Sequence, residues 1–142
     1  MQKRQKIEYH KLKEGYEFPP ARQHFDLSMV AAYIKAVGET SNLYQGTELI
    51  PPMEIAASTM AVLSESISMP AGAIHVSQEL EFLNTVSIKD TITSYARVNR
   101  NQKRGNMHIL TIELNVLNQD KKAVLSGKTS FILPEQVEGK GQ

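Results

Sequence analysis

The sequence contains no cysteine and no tryptophan, and aromatic residues make up only 6% of its 142 residues. Without cysteine there are no disulfide staples, no thiolate metal sites and no cysteine nucleophile. That composition suits a reducing compartment, and a cytoplasmic location is expected. No apolar run approaches the ~20 residues needed to span a bilayer. The net charge is +1, so no overall electrostatic bias toward nucleic acid or a membrane surface exists. The start, Met-Gln-Lys-Arg-Gln-Lys, is basic, but no apolar stretch follows it, which argues against a secretory leader. No glycine-rich phosphate loop and no Gly-x-Ser-x-Gly elbow is present. The four histidines are scattered at spacings that build no metal site, so no metal is expected.

What is present is enough apolar residue, 41%, for one core in one domain. The chain is organised around Ile50 to Ile67, its longest apolar segment without a charge cluster. Met53, Ala56, Ala57, Met60, Leu63, Ser64 and Ile67 recur at helical spacing and are expected to form its buried face. Pro51 and Pro52 suit a helix start, and Pro70 and Gly72 close the segment. Its many Ala and Ser residues would let it lie close against another backbone.

Before it, Asp26 or Ser28 can cap a helix carrying Met29, Val30, Tyr33, Ile34 and Val37, with Gly38 as the stop. After it the period changes to two. Ile74, Val76, Leu80 and Phe82 alternate with His75, Ser77, Glu79 and Glu81, which predicts a half-buried strand with His75 on the face opposite the apolar set. Three more strands follow, marked by residues 92–98, 110–116 and 123–133 and joined mainly by hairpins. Helices segregated from strands indicate α+β, with a curled antiparallel β-sheet wrapped around a long central α-helix. The expected division is an N-terminal arm over 1–15, frayed or a short edge strand, a single domain over 16–134, and a disordered tail over 135–142.

A sheet wrapping a helix is the hot-dog fold, and three stretches resemble MaoC-like hydratases and dehydratases. Residues 36–44, Ala-Val-Gly-Glu-Thr-Ser-Asn-Leu-Tyr, resemble the family's Gly-Asp-x-Asn-Pro-Leu-His loop. Ile50-Pro-Pro-Met resembles the start of its central helix. Residues 74–90 resemble its His-Gly-Glu-Gln-Glu-Phe strand and the turn that follows, with Thr85 where Pro is common and Lys89 where Gly is common. The resemblance spans about residues 20–134. It implies reversible addition of water to a 2-enoyl thioester, giving a 3-hydroxyacyl thioester, with no cofactor beyond the coenzyme A or carrier protein that bears the acyl group. It also implies an acyl tunnel across a dimer, homomeric or with another hot-dog chain. A backbone N–H at the start of the central helix would polarise the thioester carbonyl.

Carried over by position, Glu39 takes the place of the family's catalytic Asp and Tyr44 that of its His. In the family a carboxylate and an imidazole hold one water, and one can take a proton while the other gives it near neutral pH. The departures bear on the chemistry. Glu is longer by one methylene, and Tyr, with an unperturbed pKa of about 10, is a poor base. Asn42, Pro52, Met53, His75 and Gln78 are expected to border the substrate. For His75 a solvated strand residue is the alternative, and for Gln78 a structural hydrogen bond to neighbouring backbone. His24 and His108 read as structural. Arg100, Lys103 and Arg104, with Arg97, cluster on one hairpin, either as a contact for coenzyme A phosphates or an acidic carrier or as a solvated turn. With no aromatic interleaving, nucleic-acid binding is not expected. Two other functions fit the same resemblance. One is a non-catalytic acyl-binding subunit paired with a catalytic partner. The other is a hot-dog thioesterase using Glu39 or Glu54 as base.

Overall fold

The structure is a computed structural model describing residues 5–135. The chain runs β1 (Ile7–Glu8), a short 3-10 turn (Tyr9–Lys11), β2 (Ala21–His24), α1 (Leu27–Val37), α2 (Pro52–Ser66), β3 (Ile67–Ser68), β4 (Ile74–Phe82), β5 (Thr91–Arg104), β6 (Met107–Leu117) and β7 (Ala123–Pro134). β2, β5, β6, β7 and β4 form one antiparallel sheet in that order, while β1 and β3 pair in parallel beside it. The sheet holds α2 against its inner face, which is the expected hot-dog arrangement.

Alternation dictates the sheet. In β6, Leu110, Ile112, Leu114 and Val116 are all buried, and each intervening residue is only half-buried. The core has two lobes along α2. Leu63 and Ile67, at the C-terminal end of the helix, join Phe18, Val98, Leu110, Ile112 and Leu114. Ile55 and Ala56, at its start, join Val30, Ile50, Val86 and Leu125.

α1 begins where expected. The Asp26 carboxylate accepts from the Met29 N–H at 2.8 Å, and Gly38 ends the helix at φ 71°, in the left-handed region that favours glycine. Of its expected stripe, Val30 is buried and Tyr33 and Ile34 are half-buried, while Met29 and Val37 are exposed.

Two expectations need correction. The buried face of α2 is Glu54, Ile55, Ala56, Thr59, Leu63 and Ser66, so Met53, Ala57 and Ser64 lie outside it. The reason is chemical. The Thr59 and Ser66 hydroxyls donate to the Ile55 and Val62 carbonyls, at 2.8 and 2.9 Å, and so bury without a lost hydrogen bond. In β4 a bulge between His75 and Ser77 shifts the register, pairing His75 with Phe131 and Gln78 with Thr129. His75 therefore shares the inner face with Gln78, Leu80 and Phe82, instead of opposing them. Of the two readings of the N-terminal segment, the short strand holds over its described part, with Ile7–Glu8 paired to Ile67–Ser68. Tyr9 and Leu12 are buried, and the Asn101 side-chain amide donates to both their carbonyls, at 3.0 and 2.6 Å. Of the expected tail, residues 136–142 lie outside the described residues.

β4 is the sheet edge opposite β2, and all of it but the half-buried Leu80 is exposed. It crosses β7 closely: a Cβ on Gly127 would collide with the Glu79 carbonyl oxygen.

Candidate functional site

The loop from α1 to α2 is folded by its own polar groups. The Glu39 carboxylate accepts from the Ser41 N–H at 2.8 Å, and the Ser41 hydroxyl accepts from the Leu43 N–H at 3.1 Å. Its exit is pinned to the turn after β4, where the Ile50 N–H donates to the Val86 carbonyl at 2.9 Å and the Ile88 N–H to the Glu48 carbonyl at 2.8 Å. These anchors deliver Pro51 and Pro52 to the start of α2, with proline in the first turn.

Between loop, helix start and turn lies a cavity of about 200 Å³. Tyr44, Leu49, Pro52, Ile55, Phe82 and Val86 are among its mostly apolar walls. At the start of α2, beside this cavity, Pro51 and Pro52 have no N–H and the Glu54 N–H donates to the Pro51 carbonyl at 3.0 Å, which leaves the Met53 N–H as the first-turn donor.

Two further groups gather at that helix start. Burial raises the pKa of the Tyr33 phenol, and so do the nearby Glu54, Glu39 and Tyr44. Glu54 is 7% exposed, and its Oε1 has no hydrogen-bond partner among the described residues. Burial pushes its carboxyl up to about 7.

The expected site residues fall in three places. Tyr44 and Pro52 line the cavity, whereas Glu39, Asn42 and Met53 are exposed and outside its wall, Met53 at 52%. His75 Nε2 lies 2.7 Å from the hydroxyl of the fully buried Thr129, and its ring stacks on Phe131 at 4.8 Å. Gln78 is exposed on the inner face of the edge strand. The basic hairpin is remote within one chain. The 14-residue β5, at about 3.3 Å per residue, puts Arg104 roughly 40 Å from the cavity end of the sheet. There Arg100 donates to the Gln102 side chain and Lys103 pairs with Glu135 at 2.9 Å, while Arg104 is exposed. Among the described residues no cluster of three or more His, Cys, Asp or Glu could hold a metal.

The sequence marks Tyr33 only as part of an apolar stripe, and Glu54 only as a thioesterase base. The signal for Glu54 is its isolation: Glu54 and Glu65 are the only charged residues between Ile50 and Ile67.

The geometry defines a hot-dog-fold protein with an apolar cavity at the start of its central helix. No family model and no curated protein matches the chain. Solved structures do. The R-hydratase PhaJ1 from Pseudomonas aeruginosa superposes with a TM-score of 0.79 at 18% identity, covering 94% of this chain and 89% of that one. A MaoC-like dehydratase from Rhodospirillum rubrum gives 0.74 at 19% identity, over 90% and 97% of the two chains. The ChsH1-ChsH2 complex from Mycobacterium tuberculosis gives 0.70 at 10% identity, over 85% and 98%. At these identities the likeness establishes the fold.

Proposed function

We propose that the chain is a MaoC-like acyl-thioester hydratase or dehydratase. Water adds across C2 and C3 of a 2-enoyl thioester, its oxygen to C3 and a proton to C2, and the reverse step expels it. The observation that carries this reading is the apolar cavity walled by Tyr44, Pro52 and Phe82 at the start of α2. An acyl tail fits such walls, and the Met53 N–H at the helix start would hold the thioester oxygen as charge builds on it. Tyr44 would hydrogen-bond the reacting water, with Glu39 in the same loop.

The assembly is part of the proposal. Among the described residues β4 presents an unpaired edge, with Ile74 57% exposed and Val76 and Phe82 exposed beside it, and a second hot-dog chain would cover it. Such a pair would also bring another chain's basic hairpin into play for the phosphates of coenzyme A or for an acidic carrier.

A second reading has its own support. Glu39 is bound to the Ser41 N–H and lies outside the cavity wall, which suits an acyl-binding subunit whose partner chain does the chemistry. The test is loss of enoyl absorbance with crotonyl-CoA and a longer 2-enoyl-CoA, with thiol release followed in parallel. Hydration without thiol release supports the first reading. Absence of turnover by the lone chain, restored by a co-expressed hot-dog partner, supports the second. Thiol release alone would make the protein a thioesterase.

A further inference from the structure

We infer that Glu54 is the carboxylate that moves the proton in this site. The inference rests on the hydratase reading above and adds a residue to it.

α2 buries three polar side chains besides its apolar ones, and two of them are explained. Thr59 and Ser66 return their hydroxyls to the helix. Glu54 has no such arrangement. It is more than nine-tenths buried, and its Oε1 has no partner among the described residues. Leaving a buried polar group unpaired is costly, and a structural carboxylate would have acquired a donor. Glu54 sits in the first turn of α2, between the cavity-lining residues Pro52 and Ile55, and like Glu39 it is not itself part of the cavity wall. Tyr33 on α1 lies near Glu54, and the same phenol lies near the loop residues Glu39 and Tyr44.

Glu39 is the poorer acceptor. It is exposed, and its Oε1 already accepts from Ser41. Glu54 has a free lone pair and a burial-raised affinity for protons, which places its working range near neutral pH. In the step, Glu54 takes a proton from water as the water oxygen bonds to C3. The π electrons move to C2 and the thioester oxygen. As the carbonyl reforms, the carboxyl returns a proton to C2, so one water is added and Glu54 ends as it began.

The experiment compares wild type, Glu54→Gln, Glu54→Asp and the control Glu65→Gln, an exposed acid on the same helix. Hydration of crotonyl-CoA is followed across pH. The expected result is a fall in kcat of at least about a hundredfold for Glu54→Gln, of the size general acid–base groups contribute, with KM little changed. Glu54→Asp should keep partial activity together with the pH limb of the wild type, and Glu65→Gln should match the wild type. If Glu54→Gln does not fold, the Asp variant decides: loss of the limb in a folded Asp variant overturns the inference. Activity of Glu54→Gln within about threefold of wild type overturns it while leaving the hydratase reading standing. A wild type with no turnover on either enoyl-CoA overturns both.

Discussion

Glu54→Gln also tests the site without any substrate. The wild-type carboxyl is held at about 7 in the folded chain against 4.5 for the free group. The native state therefore binds the proton more tightly than the unfolded state. Below about pH 4.5 both states are protonated and burial of the neutral acid carries no ionisation penalty. As pH rises from there to about 7 the unfolded carboxyl ionises first, and native stability falls. The shift of roughly 2.5 pKa units corresponds to about 3 kcal/mol, an upper figure because native-state relaxation would soften it. Gln keeps the shape and cannot ionise. The expected outcome is that the variant and wild type differ little near pH 4.5, and that the variant gains up to about 3 kcal/mol over wild type near about pH 8. Urea unfolding at fixed protein concentration measures this directly. A difference of the same size at both pH values would refute the reasoning, since a pH-independent change reports packing and not ionisation.

Other outcomes follow from the packing. Gly127→Val should destabilise by at least about 1–3 kcal/mol in urea unfolding, because its Cβ would strike the Glu79 backbone of β4. Thr129→Val should cost about 1 kcal/mol by the same measurement and release the His75 ring, visible as a changed imidazole NMR signal. Ile74→Asp puts a charge on the edge that is unpaired among the described residues and through which the proposed pairing would run, and it should shift that proposed assembly toward monomer in analytical ultracentrifugation, with little change in circular dichroism.

The sheet is legible in the sequence because its alternation is strict: Leu110, Ile112, Leu114 and Val116 can be assigned to one face without knowing what covers them. The caps are legible because Asp26 and Gly38 act locally. The buried face of α2 is not, because Ala and Ser surround that helix and a small residue carries little directional signal. Its true face includes two hydroxyls that satisfy themselves on their own helix, which hydrophobic periodicity counts as outward. His75 is misplaced by one bulged residue, which a strict period of two cannot register. In the candidate site, Tyr44 and Pro52 are legible from the motif, and both reach the cavity. Glu54 is legible only as a candidate thioesterase base, because burial is a tertiary property and a glutamate in the first turn of a helix reads first as a response to the helix dipole.

The most direct measurement is a crystal structure of the protein soaked with an unreactive acyl-CoA analogue. The expected result is an acyl tail in the cavity bordered by Tyr44 and Phe82, with the thioester oxygen at the Met53 N–H in the first turn of α2. An acyl chain bound elsewhere, with that cavity empty and the helix start unoccupied, would contradict it.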